Sequence, residues 1–277
     1  MQLITTIAEF RAARKPLPRL ALVPTMGALH EGHLSLMRQA RLHAPHVAVS
    51  IFVNPTQFGP KEDFSKYPRP LEADLALCKS VGVDLVFAPS VEEMYPPDSP
   101  KMSIDLPELT TVLEGAHRPG HFAGVCQVVA KLFNIIQPDA AMFGRKDFQQ
   151  LAVLTAMVNG LDFPIEMLGC PTVREDGGLA MSSRNRYLSE DERKRALVIS
   201  HSLFFARDEV ASGNRDAAAI TKFMRGIIEK QRLVVDYVAA ADPKTLVPID
   251  LITGPVVFLI AARVGTTRLI DNLQIDR

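Results

Sequence analysis

The chain has 277 residues, of which 47% are apolar and 22% charged, enough for one large or two smaller domains with a buried core. Lysine plus arginine and aspartate plus glutamate each number 31, so the net charge is zero. This balance argues against a nucleic acid partner, because proteins that bind nucleic acids usually carry a basic excess, and it favours small-molecule substrates. No apolar run approaches the roughly 18 residues of a membrane span, so we expect no membrane partner.

Short β-rich runs alternate with helical periodicity over the first two-thirds of the chain. Strands are predicted at 20–23, 46–53, 84–87, 140–143 and 165–168, and helices at 30–41, 71–81, 125–136 and 148–159. Such alternation predicts an α/β fold with a Rossmann-like parallel sheet covered by helices on both faces. Ligands of these sheets bind at the carboxyl ends of the strands.

The pattern changes after about residue 172. Ser189 and Glu192 have the spacing of a capping box, which predicts the start of a long helix. A further helix is predicted at 216–230, and strands are predicted at 233–239, 256–262 and 267–270. We therefore expect two domains, a Rossmann-like nucleotide-binding domain over 1–173 and a smaller α+β domain over 174–277.

The first candidate motif is the segment 24–33, PTMGALHEGH, which follows the first predicted strand and opens the first predicted helix. His30 and His33 are three residues apart, so they share a helix face in the first turn. Free backbone N–H groups and the helix dipole favour an anion there, and Gly27 and Gly32 permit close backbone approach. The motif therefore favours a triphosphate site.

Two alternatives remain for this histidine pair. Zinc proteases use two histidines four residues apart, whereas His30 and His33 are three apart, so metal binding is the weaker interpretation and no metal ligand is assigned. Two unrelated surface histidines are the other alternative. Neither a Walker A sequence nor a G-x-G-x-x-G sequence occurs, which excludes the two commonest glycine-rich nucleotide loops.

The second candidate motif is MSSRN at 181–185, at the junction of the two expected domains. Its two hydroxyls and the Arg184 guanidinium can donate several hydrogen bonds to phosphate oxygens. The alternative is a polar turn before the Ser189 helix. We reject Lys101-Met102-Ser103 as a candidate for a phosphate-binding loop, because the strand-like run 104–106 follows it and it lies mid-way through the nucleotide-binding domain.

Further blocks accompany the two motifs in order along nearly the whole chain. They are FVNPTQF at 52–58, YPR at 67–69, LEG at 113–115, RPGHF at 118–122, FGRKDFQQ at 143–150, VRE at 173–175 and RLIDN at 268–272. Together with the two motifs, they resemble the pantoate–β-alanine ligase family of the nucleotidyltransferase superfamily. The resemblance implies an ATP-dependent ligase that forms pantoyl adenylate and then joins pantoate to β-alanine, in pantothenate biosynthesis.

The resemblance also implies a set of site residues. The implied catalytic residues are His30, His33, Lys146 and Arg184. The implied contacts of pantoate and β-alanine are Met26, Gln57 and Gln150. The implied contacts of ATP are Met26, Gly27, Ala28, Leu29, His30, Glu31, Gly32, His33, Gly144, Arg145, Lys146, Asp147, Val173, Met181, Ser182, Ser183 and Arg184. Arg145 stands where the family pattern leads us to expect Glu or Gln, and Pro70 stands where that pattern leads us to expect Thr. These two departures affect the expected affinity and not the reaction type.

Several further expectations follow from the resemblance. It implies ATP as a substrate with Mg²⁺, a C-terminal domain that closes as a lid, and a homodimer. The expected location is cytoplasmic, because the first nine residues lack a signal-peptide pattern and the three separated cysteines suit a reducing compartment. The alternative functions are an adenylyltransferase acting on a phosphorylated substrate, an RNA-binding relative of aminoacyl-tRNA synthetases, and a catalytically silent ATP-binding regulator.

Overall fold

The larger sheet lies in the first part of the chain. The structure is a computed structural model that describes residues 1–60, 62, 64–100 and 102–276. Among these residues the first six strands are β1 (Gln2–Ile4), β2 (Leu20–Thr25), β3 (His46–Ile51), β4 (Leu85–Phe87), β5 (Ala140–Gly144) and β6 (Glu166–Cys170). All their pairings are parallel, and their order in the sheet is β1-β4-β3-β2-β5-β6.

Helices cover both faces of this sheet. They are α1 (Ile7–Arg14), α2 (Glu31–His43), α3 (Leu71–Ser80), α4 (Val91–Met94), α5 (Pro107–Thr110), α6 (Glu114–His117), α7 (His121–Ile136) and α8 (Phe148–Gly160). One core contains Phe10, Phe133 and Leu154 from α1, α7 and α8, and a separate core contains Met37 and Cys78 from α2 and α3. The strands are therefore buried between two helical layers, which confirms the predicted α/β fold.

The strand order determines where a ligand can bind. From β2 the chain proceeds to β3 and β4 on one side of the sheet, and it returns through β5 and β6 on the other. Diverging connections leave a crevice at the carboxyl ends of β2 and β5, the topological switch point of the sheet. The segments that follow these two strands are the motif at 24–33 and the block at 143–150.

The C-terminal part has its own sheet and core. Its elements are α9 (Glu190–Ala211), α10 (Ala217–Lys230), β7 (Val234–Ala241), β8 (Val256–Val264) and β9 (Thr267–Ile275). The three strands are antiparallel in the order β7-β8-β9, and their inner face packs with the two helices. The capping box is present, since Ser189 Oγ accepts from the Glu192 N–H and the Glu192 carboxylate accepts from the Ser189 N–H. The division at residue 173 stays a prediction.

Some local expectations differ from the structure. The strand-like run 104–106 is not a strand; α5 begins directly after it at Pro107, and the Asp105 carboxylate accepts a 2.6 Å hydrogen bond from Thr110 Oγ1. The candidate Lys101 lies outside the described residues. β9 continues past the predicted end at residue 270, because two polar residues that interrupt the apolar pattern, Asp271 and Asn272, are buried with partners. In the described part of the chain, no helix combines the length and apolarity of a membrane span.

Candidate functional site

The two histidines of the first motif cap helix α2. His30 is the N-cap residue, and its Nδ1 accepts a hydrogen bond from the Gly32 N–H at 3.2 Å. His33 Nδ1 accepts in turn from the His30 N–H at 3.3 Å, which completes a capping box made of two imidazoles. Because Nδ1 accepts in both neutral rings, we assign the ring proton to Nε2 in each. Each ring can therefore donate an Nε2–H hydrogen bond to a ligand.

Both imidazoles are held in the neutral form. Burial, together with the positive charges of Lys146 and Arg186, lowers the pKa of His30 to about 4. Burial also lowers the pKa of His33 to about 3, with His30 contributing. The ring centroids are 4.1 Å apart, so protonating one ring opposes protonating the other. Near neutral pH the pair therefore offers two uncharged donors.

Gly32 is required for the position of the first ring. A Cβ atom at residue 32 would lie 2.9 Å from both Nδ1 and Cε1 of His30, which is closer than real Cβ contacts. The imidazole thus lies back over the Gly32 backbone and reaches its N–H group. The glycine between the two histidines is therefore explained by ring placement.

Asp74 of α3 fixes the loop before the histidines. Its two carboxylate oxygens accept from the N–H groups of Ala28 at 2.9 Å and Leu29 at 2.8 Å, and Asp74 is 1% exposed. Ala28 has φ of 51° and Gly27 has φ of 79°, so the loop passes through left-handed backbone conformations. The carboxylate occupies the two amides, which are therefore not available to a phosphate group.

A cavity of about 210 Å³ opens at the carboxyl ends of β2 and β5. It brings together most of the residues that the sequence analysis singled out. Those that line it are Met26, His30, Gly32, His33, Gln57, Gly144, Lys146, Asp147, Gln150, Val173 and Met181. The other candidates, which are not part of this lining, are Gly27, Ala28, Leu29, Glu31, Arg145, Ser182, Ser183 and Arg184.

Several of these other candidates have partners of their own. Glu31 forms an ion pair with Arg38 on the outer side of α2. Arg145 is exposed, and its Nε donates to the Gly169 carbonyl at 3.1 Å. Ser182 Oγ accepts from the Arg184 N–H at 3.2 Å and so caps the short 3₁₀ helix Ser183–Tyr187. The roles that the resemblance implies for these residues stay predictions.

Gln57 is held at the cavity by a buried network. Its Nε2 lies 3.0 Å from the sulfur of Met26, and its Oε1 accepts from Asn54 Nδ2 at 3.1 Å. Asn54 is 1% exposed, donates to the Gly124 carbonyl at 3.1 Å and accepts from the Tyr95 hydroxyl at 3.0 Å. Asn54 has no role among the expectations from the sequence, and its place in the block 52–58 is the one signal for it.

The two adjacent glutamines after β5 differ in their surroundings. Gln149 is buried, accepts from the Glu114 N–H and donates to two carbonyl groups of the 109–112 segment. The Gln150 amide lines the cavity and has no hydrogen-bond partner among the described residues. Gln150 is therefore the one of the two that can bind a ligand.

Lys146 and Asp147 place opposite charges on the cavity wall. Lys146 Nζ lies 3.5 Å from Asp147 Oδ1, and their side chains are 20% and 46% exposed. Desolvation in the cavity opposes ionisation of Asp147, but the Lys146 ammonium outweighs it and holds the pKa of that carboxyl below its ordinary value. The cavity wall therefore carries an ion pair, an arrangement that suits a phosphate and a sugar hydroxyl side by side.

The apolar part of the cavity wall comes mainly from α7. It comprises Val125, Val128, Val129 and Leu132 of this helix together with Phe52. This helix is predicted from the sequence at 125–136, but without a part in the site. Most of α7 is apolar, so its periodicity does not reveal which side chains meet the cavity.

Comparison with known proteins identifies the family of this chain. Residues 2–274 match the family model described as pantoate-beta-alanine ligase. The chain is 51% identical to the pantothenate synthetase of Moorella thermoacetica over 281 aligned residues, covering 100% of this chain and 99% of the relative. It is 52% identical to pantothenate synthetase 1 of Bradyrhizobium diazoefficiens, covering 100% and 99% of the two chains.

Solved structures give the same result. The pantothenate synthetase of Thermus thermophilus superposes with a TM-score of 0.93 at 46% identity, covering 99% of both chains. The pantoate-beta-alanine ligase of Francisella tularensis, solved in complex with beta-gamma ATP and beta-alanine, superposes with a TM-score of 0.80 at 32% identity, covering 99% of this chain and 97% of that one. The chain therefore belongs to the pantoate–β-alanine ligase family, whose reaction is the ATP-dependent joining of pantoate to β-alanine.

Proposed function

We propose that the family's reaction takes place in the cavity at the carboxyl ends of β2 and β5. The observation that carries the proposal is the pair of neutral imidazoles whose Nε2–H groups are free for a ligand, on the same cavity as Lys146. The relative from Francisella tularensis, whose structure contains an ATP-type ligand and β-alanine, supports ATP and β-alanine as ligands of this chain.

In the first step a carboxylate oxygen of pantoate attacks the α-phosphorus of ATP. An O–P bond forms, the bond from the α-phosphorus to the bridging oxygen breaks, and pyrophosphate leaves. Negative charge accumulates on the phosphate oxygens in the transition state. His30, His33 and Lys146 supply fixed donors for these oxygens, and such preorganised donors are a major source of rate acceleration.

In the second step the amine of β-alanine attacks the carbonyl carbon of pantoyl adenylate. The C–N bond of the amide forms, the bond to the phosphate oxygen breaks, AMP leaves and the amine nitrogen loses a proton. The mixed anhydride reacts readily with water, so partial shielding by the cavity walls favours the amine as nucleophile. A closing movement of the C-terminal domain and of the segment 181–184 would strengthen this protection.

The cavity has matching groups for pantoate. The side-chain amides of Gln57 and Gln150 can each donate and accept, which suits a substrate with two hydroxyls and a carboxylate. The apolar α7 wall suits the two methyl groups of pantoate. This division into a polar and an apolar wall supports the assignment of Gln57, Gln150 and Met26 to the substrate.

Mg²⁺ would arrive with ATP. The described residues contain no cluster of three or more His, Cys, Asp or Glu side chains that could hold a metal ion. This donor set fits an ion held mainly by phosphate oxygens and water, the usual arrangement for Mg²⁺ at nucleotide sites. When bound, the ion would neutralise part of the triphosphate charge.

We further propose a cytoplasmic homodimer. Cys78, Cys126 and Cys170 are all buried free thiols, which supports a reducing compartment. Light scattering of the purified protein would give a mass twice that of the 30.5 kDa chain. A mass equal to one chain would contradict the dimer, and recovery of the native protein outside the cytoplasm would contradict the location.

The central experiment is single-turnover formation of pantoyl adenylate by a His33→Ala variant. We expect the rate to fall at least about 10²-fold, the scale of losing one positioned donor. His43→Ala is the matched control, because His43 lies at the far end of the same helix and is exposed. Near-normal adenylate formation by His33→Ala would contradict the site assignment.

The substrate requirements test the reaction itself. AMP release should need MgATP, pantoate and β-alanine together, and pantoyl adenylate should accumulate when β-alanine is omitted. Pyrophosphate release that does not depend on pantoate, or a dinucleotide-like product in place of AMP, would instead indicate an adenylyltransferase.

A further inference from the structure

We propose that Asp271 and Asn272 of β9 are positioning residues that fix the two ATP-binding segments, 144–147 and 173–184, relative to each other. The proposal rests on the proposed function, because the contacts of these segments with ATP are part of it. Both residues belong to the C-terminal sheet, whereas the segment 144–147 begins at the last residue of β5 in the larger parallel sheet and continues into a 3₁₀ turn. The C-terminal sheet thereby becomes part of the nucleotide site.

Asn272 holds the main chain of the first segment. Its Nδ2 donates to the carbonyl oxygens of Arg145 at 2.9 Å and Lys146 at 2.7 Å. Asn272 is only 6% exposed, so both bonds are shielded from water. The planar amide therefore uses both of its N–H groups on two successive carbonyls of the segment that carries Lys146.

The first segment has little support of its own. Residues Arg145–Asp147 form a single 3₁₀ turn without a side-chain cap. A short turn of this kind has poor hydrogen-bond geometry, so its orientation depends on outside contacts. Two donors from a β-strand supply such a contact, and they fix the direction in which the Lys146 and Asp147 side chains leave the main chain.

Asp271 holds the second segment. Its carboxylate forms a two-point ion pair with Arg174, at 2.6 Å and 3.1 Å, and Asp271 is 4% exposed. Arg174 also donates to the Gly178 carbonyl at 3.0 Å, and its main chain bridges that of Ala180, just before Met181. The ion pair therefore anchors the loop that leads from Val173 to the serine motif.

The two anchors are coupled within the strand. Asp271 Oδ1 also accepts from the Asn272 N–H at 2.8 Å, so one carboxylate contacts both Arg174 and the next residue of β9. A displacement of either segment is thus transmitted to the other through two adjacent residues. Neither Asp271 nor Asn272 is among the described residues that line the main cavity, so both act through the residues they hold.

The test measures binding of a non-hydrolysable ATP analogue to the full chain by titration calorimetry. For Asn272→Ala we expect the dissociation constant of the analogue to rise at least about tenfold and the adenylation rate to fall by a similar factor. The reason is that Lys146, which donates to the phosphate, is displaced with its segment. The KM for pantoate should stay within about twofold, since Gln57 is held by a different network and Gln150 belongs to the regular helix α8. Gln274→Ala, two residues along the same strand with an exposed partner, is the matched control and should bind normally.

A double-mutant cycle with Lys146→Ala distinguishes failure of the positioning role of Asn272 from failure of the proposed function. If Asn272 acts through Lys146, Asn272→Ala should weaken analogue binding much less in the Lys146→Ala background than in the wild type. Full additivity, or normal binding by Asn272→Ala beside weak binding by Lys146→Ala, overturns the positioning role. Normal binding by Lys146→Ala would instead overturn the proposed function.

Fold is checked by thermal unfolding of each variant. If Asn272→Ala does not fold, Asn272→Ser replaces it, because serine keeps the position polar but is too short to reach both carbonyls. Asp271→Asn tests the second anchor and should weaken analogue binding without changing the KM for pantoate. A parallel loss of affinity for ATP and pantoate in these variants would indicate general disruption and overturn the proposal.

Discussion

A substitution at Gly32 should separate activity from stability. In Gly32→Ala the new Cβ would lie 2.9 Å from the His30 ring, so the imidazole must rotate away from the Gly32 N–H. The lost cap costs about 1 kcal/mol. Alanine is favoured over glycine in a helix by up to about 1 kcal/mol, which offsets that loss. The predicted net change in the free energy of unfolding is therefore close to zero.

The activity should change far more. The displaced His30 ring no longer directs its Nε2–H at the phosphate, and the loss of one such donor costs about 10²- to 10³-fold in rate, equivalent to about 3 to 4 kcal/mol. Urea unfolding and single-turnover adenylate formation measure the two quantities on the same sample. A large loss of rate at a nearly unchanged free energy of unfolding would show that the displaced donor, and not unfolding, causes the loss.

Gly226→Ala provides the control for this experiment. Gly226 lies in α10, and a Cβ there meets nothing within 4 Å, so the variant should gain helix stability and keep full activity. Full activity of Gly32→Ala would refute the placement of the His30 ring. Loss of activity only in proportion to unfolding would refute a specific effect on the donor.

Three further predictions follow from other contacts. Asp74→Ala leaves two buried loop amides without an acceptor, so urea unfolding should show a loss of about 2 to 6 kcal/mol, at 1 to 3 kcal/mol for each amide. The folded pKa values of His30 and His33 lie below the ordinary value of 6.5, so the unfolded state binds more protons than the folded state. The free energy of unfolding should therefore fall as the pH drops from about 6.5 towards 4. His33→Asn should flatten this pH dependence, and an unchanged slope would contradict the prediction. Gly124→Ala would place a Cβ 2.2 Å from the Thr56 carbonyl oxygen, so α7 must move, and steady-state kinetics should show a raised KM for pantoate; an unchanged KM would contradict the contact.

The sequence predicted the features that local pattern controls. The alternation of strands and helices indicated the α/β fold, and the position of the motif 24–33 after the first predicted strand placed it at the carboxyl end of that strand. The spacing of the histidines and the capping box at Ser189 also depend on residues close together in the chain. Each of these features has a periodicity or a short-range hydrogen bond behind it.

The features that the sequence did not predict depend on distant partners. Asp74 looks like an ordinary acidic residue in the first turn of α3, and nothing local indicates that its carboxylate binds two amides of another loop. Asp271 and Asn272 interrupt an apolar run and so shortened the prediction of β9, and their buried partners lie 97 and 127 residues away in the chain. The α7 wall was missed because a helix that is apolar over most of its surface has no evident ligand-facing side.

The double use of the histidines limits which substitutions the motif can accept. Lysine and arginine could donate to phosphate but have no acceptor for a backbone N–H, and serine could cap the helix but could not reach as far into the cavity. Each histidine must therefore satisfy folding and chemistry with opposite ends of one ring. Within the four residues of His-x-Gly-His, backbone N–H groups of the unit itself fix the tautomer of both imidazoles. A protein engineer could therefore transfer it as a compact block to the helix start of another strand–helix junction.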